Sequence, residues 1–229
     1  MISIIIPVFN EEKIIHGQLE SLLPVSDEDI EVIAVDGGSK DRTAEIIAEF
    51  KSIRFLQSTK KGRAAQMNYG ADKANGNILL FLHADVSLPK EWKSEVIKAV
   101  DSGFIAGGFR IRCGGKESLE SIDRFFAYIT GLRSRYAKYM YGDQAIFVTK
   151  NVFKSVSGFP EIPILEDYEF SRRIFKAGKI FYSRLCVDVS YRRFKHGVFT
   201  AALLMHFIPL LYRIGVSPHR LAKFYKDIR

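Results

Sequence analysis

The sequence predicts an α/β fold built on a Rossmann-like, mainly parallel central sheet flanked by helices, with a C-terminal helical tail. Three observations carry that prediction. From Ser3 to Ala74, short apolar runs alternate with segments whose apolar residues recur at helical spacing, a pattern that argues for right-handed βαβ crossovers. The run Ile78 to Leu82 is continuously apolar between turn residues, as a strand buried on both faces of a parallel sheet reads. With 229 residues, 47% of them hydrophobic, the chain suits one α/β domain with a sizeable core.

In order, Ser3 to Val8 reads as the first strand, followed by a helix over roughly Glu12 to Leu23 that carries Ile14, Ile15, Leu19, Leu22 and Leu23. Ile30 to Val35 is the second strand. The turn Gly37 to Asp41 leads into a helix with Ala44, Ile46, Ile47 and Phe50 on one face, capped by Ser39 or Asp41. Ile53 to Leu56 is the third strand, and a helix over Ala64 to Ala74 precedes the fourth, Ile78 to Leu82. Beyond it the pattern is less regular. Glu91 to Val100 reads as a helix, Ile105 to Arg112 as a strand, and Ser118 to Arg133 as a longer amphipathic helix. Gly142-Asp143-Gln144 precedes a short strand, Ala145 to Thr149. Pro160 and Pro163 bound a loop leading to Leu165-Glu166-Asp167 and a helix through Ala177, and Ile180 to Val189 makes one or two strands.

Two cysteines, Cys113 and Cys186, are far apart and have no metal-ligand spacing, so a reduced, cytoplasmic setting is expected. The start, Met1 to Pro7, carries no basic leader and reads as a strand rather than a secretion signal. Charge is uneven. Of the net +8, Arg192 to Arg229 holds eight Lys or Arg against one acid, Asp227, a net +7. A basic arm beside a nearly neutral body points to an anionic partner, either a membrane's inner face or nucleic acid. Within that arm Val198 to Tyr212 is strongly apolar, but it falls short of the roughly 20 residues a span needs and is interrupted by His206 and Pro209. An interfacial helix on anionic lipid fits, as does a helix packed on the domain or in a homodimer. Ser217-Pro218 then opens a last helix with Arg220, Lys223 and Lys226.

The chemistry is expected where the fourth strand ends, in His83-Ala84-Asp85, because open α/β sheets collect ligands at the carboxyl ends of their strands. Taken alone, this tripeptide reads more readily as a polar strand end and turn. Three pieces occur in order: Ile6-Pro7-Val8-Phe9-Asn10-Glu11, then Val35-Asp36-Gly37-Gly38-Ser39-Lys40-Asp41-Arg42-Thr43, then Phe81-Leu82-His83-Ala84-Asp85. With the later Gly142-Asp143-Gln144 and Leu165-Glu166-Asp167, they resemble the family 2 glycosyltransferases of GT-A fold over about Ser3 to Arg173. The resemblance implies a glycosyltransferase domain over residues 1–195 with a basic amphipathic tail over 196–229. It implies transfer of a sugar from a nucleotide diphosphate, a UDP-sugar being favoured, to an unidentified acceptor, which can be lipid-linked.

The resemblance also implies roles. Pro7, Phe9, Glu11 and Asp36 surround the base, where a carboxylate accepts from a base N–H and Phe9 packs on a ring. Lys61 and Arg63 contact phosphate oxygens, and His83, Ala84 and Asp85 complete the nucleotide site. Asp85 matches the last carboxylate of the family's Asp-x-Asp motif and ligates Mn²⁺ or Mg²⁺ under the diphosphate. His83 stands where the first Asp of that motif is usual, so the metal preference is open. Asp167, with Glu166 second, matches the base of inverting members, and Asp143 and Gln144 line the sugar or acceptor pocket. Plainer readings stand beside these: Asp36 and Ser39 as caps, Lys61 and Arg63 as a solvated loop, Glu166 and Asp167 as offsets to a helix dipole, Gly142-Asp143 as a turn. The competing function is a non-catalytic nucleotide-sugar-binding module at a membrane. A dinucleotide oxidoreductase is weaker, since the first turn lacks the glycine-rich fingerprint, and nucleic acid is the less favoured partner of the tail.

Overall fold

The computed structural model describes residues 1–23, 29–113, 138–190 and 207–227. The amino-terminal half follows the expected alternation. Strands β1 (Ile2–Val8), β2 (Ile30–Asp36), β3 (Arg54–Gln57) and β4 (Ile78–Phe81) are joined through helices α1 (Ile15–Leu22), α2 (Thr43–Ala48) and α3 (Arg63–Lys73). After β4 come β5 (Val86–Ser87), α4 (Trp92–Asp101), β6 (Ala106–Cys113), a 3₁₀ turn (Gly142–Gln144), β7 (Phe147–Thr149), α5 (Lys150–Ser155), α6 (Glu166–Ala177), β8 (Ile180–Val189) and α7 (Pro218–Asp227). Residues 207–213 are helical as well. The helix expected over Ser118 to Arg133 lies outside the described residues, as do Arg192, Arg193, Lys195 and residues 198–206 of the apolar tail.

Among the described residues, eight strands form one sheet ordered β3-β2-β1-β4-β7-β6-β8-β5. Its first four strands are parallel, with Val8 of β1 opposite Asp36 of β2. The far half is mixed. β7 runs antiparallel to both β4 and β6, β5 is antiparallel to β8, and β6 and β8 are parallel across a register shift between Gly108 and Arg110. An apolar run fixes that a strand is buried but not its direction, so the reversal at β7 is invisible to periodicity. Ile180 to Val189 is a single strand.

β1 explains why the sheet is covered on both faces. All seven of its residues are buried. Ile2, Ile4, Ile6 and Val8 pack with Leu19, Leu80, Trp92 and Val96, while Ile5 packs with Met67, Ala71 and Phe81 on the other side, following the period-two alternation of a strand. α3 lies close on that second face because a Cβ at Gly70 would come 2.6 Å from Ile5 Cγ2. Phe81 of β4, Phe153 of α5, Phe159 of the following loop and Phe170 of α6 form one ring cluster, with Phe159 and Phe170 centroids 4.2 Å apart. Each such pair contributes about 0.5–1.5 kcal/mol beyond area burial. This cluster sets the start of α6 against the carboxyl end of β4.

Candidate active site

The loops after β1 and β2 are tied to each other by reciprocal bonds. Asn10 N–H donates to Ser39 Oγ (2.9 Å) while Asn10 Oδ1 accepts from Lys40 N–H (2.8 Å). Glu11 N–H donates to Thr43 Oγ1, Glu12 N–H donates to Asp41 Oδ2, and Glu12 Oε2 accepts from Arg42 N–H. Asn10 takes a positive φ of 54° to make this turn, a conformation Asn tolerates better than most residues. Neither expected cap stands at the N-cap of α2, which is Arg42 without a side-chain cap bond; Asp41, one residue earlier, accepts from Thr43 N–H at 3.1 Å, and Ser39 is spent on Asn10 and Asp36. Gln66 of α3, 4% exposed, donates to both Val8 O (2.6 Å) and Val35 O (2.8 Å) and so bolts the ends of β1 and β2 together. Sequence reasoning missed Gln66; its signal is a lone amide on an otherwise small apolar helix face.

Of the residues expected at the base, Phe9 is 53% exposed at the lip, Glu11 is half-buried, and Pro7 is buried within β1 opposite Val35. Asp36 is 1% exposed and its carboxylate accepts from Gly38 N–H, Ser39 N–H and Ser39 O–H. It therefore shapes the floor of this loop pair. Ser58 N–H donates to the Asp36 carbonyl, joining the third loop to the same floor. Lys61 is exposed at the mouth, and neighbouring Lys60 pairs with Glu161 at 2.9 Å.

At the end of β4 the backbone turns, with Val86 N–H donating to His83 O at 3.1 Å. Asp85 is half-buried, and its carbonyl accepts from Ser190 N–H at 2.9 Å, so the β5–β8 pairing holds this turn from the far side. Ala84 is buried beneath it. The His83 ring, 5% exposed, lies on Gly142: a Cβ at Gly142 would sit 2.6 Å from His83 Cε1 and Nε2 and 3.1 Å from Asp167 Oδ2. The imidazole and the Asp167 carboxylate thus face the same small space.

Asp167 is placed by two amides, Gly142 N–H to Oδ2 (2.6 Å) and Tyr168 N–H to Oδ1 (2.7 Å). The first reaches across from the 3₁₀ turn, and the second belongs to the start of α6, where acids are favoured by the helix dipole. Leu165, just before α6, is held at φ 63°. A non-glycine residue there costs on the order of 1 kcal/mol, and such strain gathers at functional sites. Ala145, closing the 3₁₀ turn, has φ 47°. Gln144 is buried and engaged at both ends, accepting from Tyr141 N–H and donating to Phe109 O, so it braces the turn that presents Gly142 and buried Asp143.

Glu166 is 2% exposed and bonded to Arg63 Nε, with Arg63 Nη2 3.9 Å from Asp167 Oδ2. Burial pushes the Glu166 carboxyl above its ordinary range; the Arg63 guanidinium draws it back and the Asp167 charge adds to the rise. Of the acidic pair, Glu166 is committed to Arg63, and Asp167 borders the space over Gly142 together with the His83 ring. No group of three or more His, Cys, Asp or Glu that could hold a metal comes together among the described residues. The candidate donor that the sequence offers is one carboxylate, Asp85, two residues after His83. It fits a hard cation that takes one or two protein carboxylates and completes its shell with substrate phosphates and water.

The model of the family described as glycosyl transferase family 2 matches residues 3–157. An uncharacterized glycosyltransferase of Haemophilus influenzae is 29% identical over 221 residues, covering 87% of this chain and 86% of its own. Glycosyltransferase AglE of Haloferax volcanii is 26% identical over 211 residues, which is 86% of this chain and 65% of AglE. Among solved structures, the mannosyltransferase PcManGT of Pyrobaculum calidifontis, in complex with GDP-Man and Mn²⁺, superposes with a TM-score of 0.69 at 18% identity, over 96% of this chain and 67% of that one. S. aureus TarS 1–349 in complex with UDP-GlcNAc gives 0.65 at 18% identity, over 82% and 58%. At such identity these two establish the shared GT-A architecture. The family match runs from β1 through α5, and on that ground the chain belongs to glycosyl transferase family 2 and is a glycosyltransferase.

Proposed function

We propose that the chain moves a sugar from a nucleoside-diphosphate donor to a hydroxyl or phosphate acceptor with inversion at the anomeric carbon, assisted by Mn²⁺ or Mg²⁺. The observation that carries the reading is the meeting of Asp167 with the His83 ring over Gly142. The nucleotide-sugar complexes of the two structural neighbours support the donor class. The linked loops at Asn10 and Ser39, with Phe9 at the lip and Asp36 beneath, would receive base and ribose. Lys61 and Arg63 flank the diphosphate path, and Asp85 would hold the cation. That cation, when bound, neutralises charge developing on the departing diphosphate.

Direct displacement needs one carboxylate to take the acceptor proton on the face opposite the leaving group. Asp167 suits this role because each of its oxygens accepts one amide bond and keeps a second lone pair free for an acceptor hydroxyl. Glu166 holds Arg63 and is the poorer candidate. Asp143 borders the same turn and would contact sugar or acceptor. The test is transfer from a panel of nucleotide sugars with Mn²⁺ or Mg²⁺, with the product anomer read by NMR. Asp167→Asn is expected to lower turnover about 10²–10⁴-fold. Retention of configuration, or turnover surviving in both Asp167→Asn and Asp85→Asn, defeats the assignment.

A further inference from the structure

The C-terminal helices present an apolar surface that the catalytic reading leaves unused. Phe207, Leu210, Leu211 and Ile214 are 53%, 52%, 36% and 71% exposed, and Phe224 of α7 is 65% exposed. The first four recur at the i, i+3, i+4, i+7 spacing that lines one side of a helix. The opposite side of the same segment, Ile208, Pro209 and Tyr212, faces inward: the first two are buried, and Tyr212 donates to Glu169 Oε2 at 3.2 Å and meets the Tyr168 ring edge-on at 6.2 Å. A helix that is apolar on the inside and again on the outside has a second apolar environment to enter. Arg213, Arg220 and Lys223 are exposed along these two helices, and the whole stretch from Arg192 carries a net +7.

We propose that this surface docks the chain on an anionic lipid bilayer, with residues 207–214 lying in the headgroup layer. Among the described residues no helix is long and apolar enough to cross a membrane, and an apolar stripe edged by Arg and Lys is the pattern of a helix lying in the interface plane. The positive charge selects an anionic surface and the stripe selects lipid over nucleic acid, because phosphate contacts to a duplex have no use for exposed Phe, Leu and Ile. The docking helix contacts α6 at Tyr168 and Glu169, next to Asp167. Docking therefore brings the mouth of the site toward the headgroups and favours an acceptor hydroxyl or phosphate carried by a lipid. That last step rests on the reading of Asp167 as base.

The test is cosedimentation of the full chain with phosphatidylcholine vesicles, with and without phosphatidylglycerol, at low and high salt. The parent is expected to bind the anionic vesicles at least about tenfold more tightly than the neutral ones, and less tightly as salt rises. Leu210→Ser with Ile214→Ser, and separately Arg213→Gln with Arg220→Gln and Lys223→Gln, are each expected to weaken vesicle binding about tenfold. All of these positions are exposed, so melting temperature and nucleotide affinity should match the parent, which keeps failure here distinct from failure of the catalytic reading. Parent-like vesicle binding by both variants overturns the proposal, as does a parent that stays in the supernatant. A dimer that Leu210→Ser with Ile214→Ser dissociates, without vesicle affinity, reassigns the surface to a second copy. Binding to a DNA duplex that the apolar variant leaves unchanged and that outcompetes vesicles reassigns it to nucleic acid.

Discussion

Replacing Gly142 with alanine separates the geometry of the site from the stability of the fold. Gly142 does not adopt a positive φ, so alanine meets no torsional objection, and the smaller unfolded ensemble favours it by about 0.4–1 kcal/mol. The objection is steric. The new methyl would sit 2.6 Å from His83 Cε1 and Nε2, where ordinary contact begins at 3.4 Å, so the ring must retreat by 0.8 Å or swing aside. It would also crowd Asp167 Oδ2 at 3.1 Å, on the oxygen that accepts the Gly142 N–H at 2.6 Å. Overpacking of this kind costs about 1–3 kcal/mol. Less the entropic gain, the net is about 0–2.6 kcal/mol, or up to roughly 10 °C in melting temperature for a chain of this size. The rate should suffer more. A base displaced by about 1 Å loses on the order of 10²-fold, about 2.7 kcal/mol of barrier. Steady-state transfer kinetics beside a thermal melt read both effects. Gly17→Ala in α1, where nothing lies within 4 Å of the added carbon, is the matched control and should be neutral or stabilising. A Gly142→Ala enzyme with parental kcat and parental melting temperature would refute the claim that this amide and this ring set the base.

Three further outcomes follow from the same contacts. Arg63→Gln removes the counter-charge of buried Glu166, whose carboxyl burial already holds above its ordinary value of 4.5; an acid raised on folding supports the fold below its unfolded pKa and loses that support as pH climbs through the folded one. The variant's stability deficit should therefore be slight near pH 4 and grow to about 2–4 kcal/mol near pH 7, and a denaturant series showing a pH-independent deficit contradicts it. Asp36→Ala strands two loop amides and a hydroxyl that the 1%-exposed carboxylate now satisfies, so UDP affinity measured by calorimetry should fall at least about tenfold; an unchanged affinity takes Asp36 out of the base site. Chelation with EDTA should stop transfer and Mn²⁺ or Mg²⁺ restore it, with Asp85→Asn needing more metal for half-activation, whereas full turnover in EDTA removes the cation from the reaction.

The amino-terminal half was legible because local signals and tertiary demands coincide there. β1 and β2 are isoleucine- and valine-rich runs and β4 is continuously apolar, all three largely buried, while the edge strand β3 is mostly exposed; periodicity placed these elements to within a few residues. What was not legible had weak local signatures. β5 has two residues and exists because Val86 and Ser87 find Val189 and Asp188, while α5 is a six-residue helix with a single buried residue, Phe153. Strand direction is a pairing property, which hid the reversal at β7. At the site, the ordered motifs pointed to the carboxylates, but their partners lie elsewhere in the chain, 103 residues away for Arg63 with Glu166 and 25 for Gly142 with Asp167. Arg63 chooses Glu166, and Gly142 chooses Asp167. The loop pair is similar. Asn10, Ser39 and Lys40 look like ordinary turn residues, and only their mutual spacing in three dimensions makes them a clasp.

The imidazole at position 83 then acquires a physical reason. Its ring shares the space over Gly142 with Asp167, and Glu166 stands beside that acid, with Arg63 the cation paired to both. A carboxylate at 83 would bring a further negative charge toward Asp167, and like charges a few ångströms apart at a partly solvated site repel by several kcal/mol. Imidazole fills the same volume without adding that charge. On the proposed reading the consequence falls on Asp85: with no second carboxylate in its turn, it would offer a cation little binding energy before the donor arrives. Diphosphate oxygens must supply most of the remaining ligands, so cation and nucleotide should bind with positive coupling, each tightening the other by the same factor.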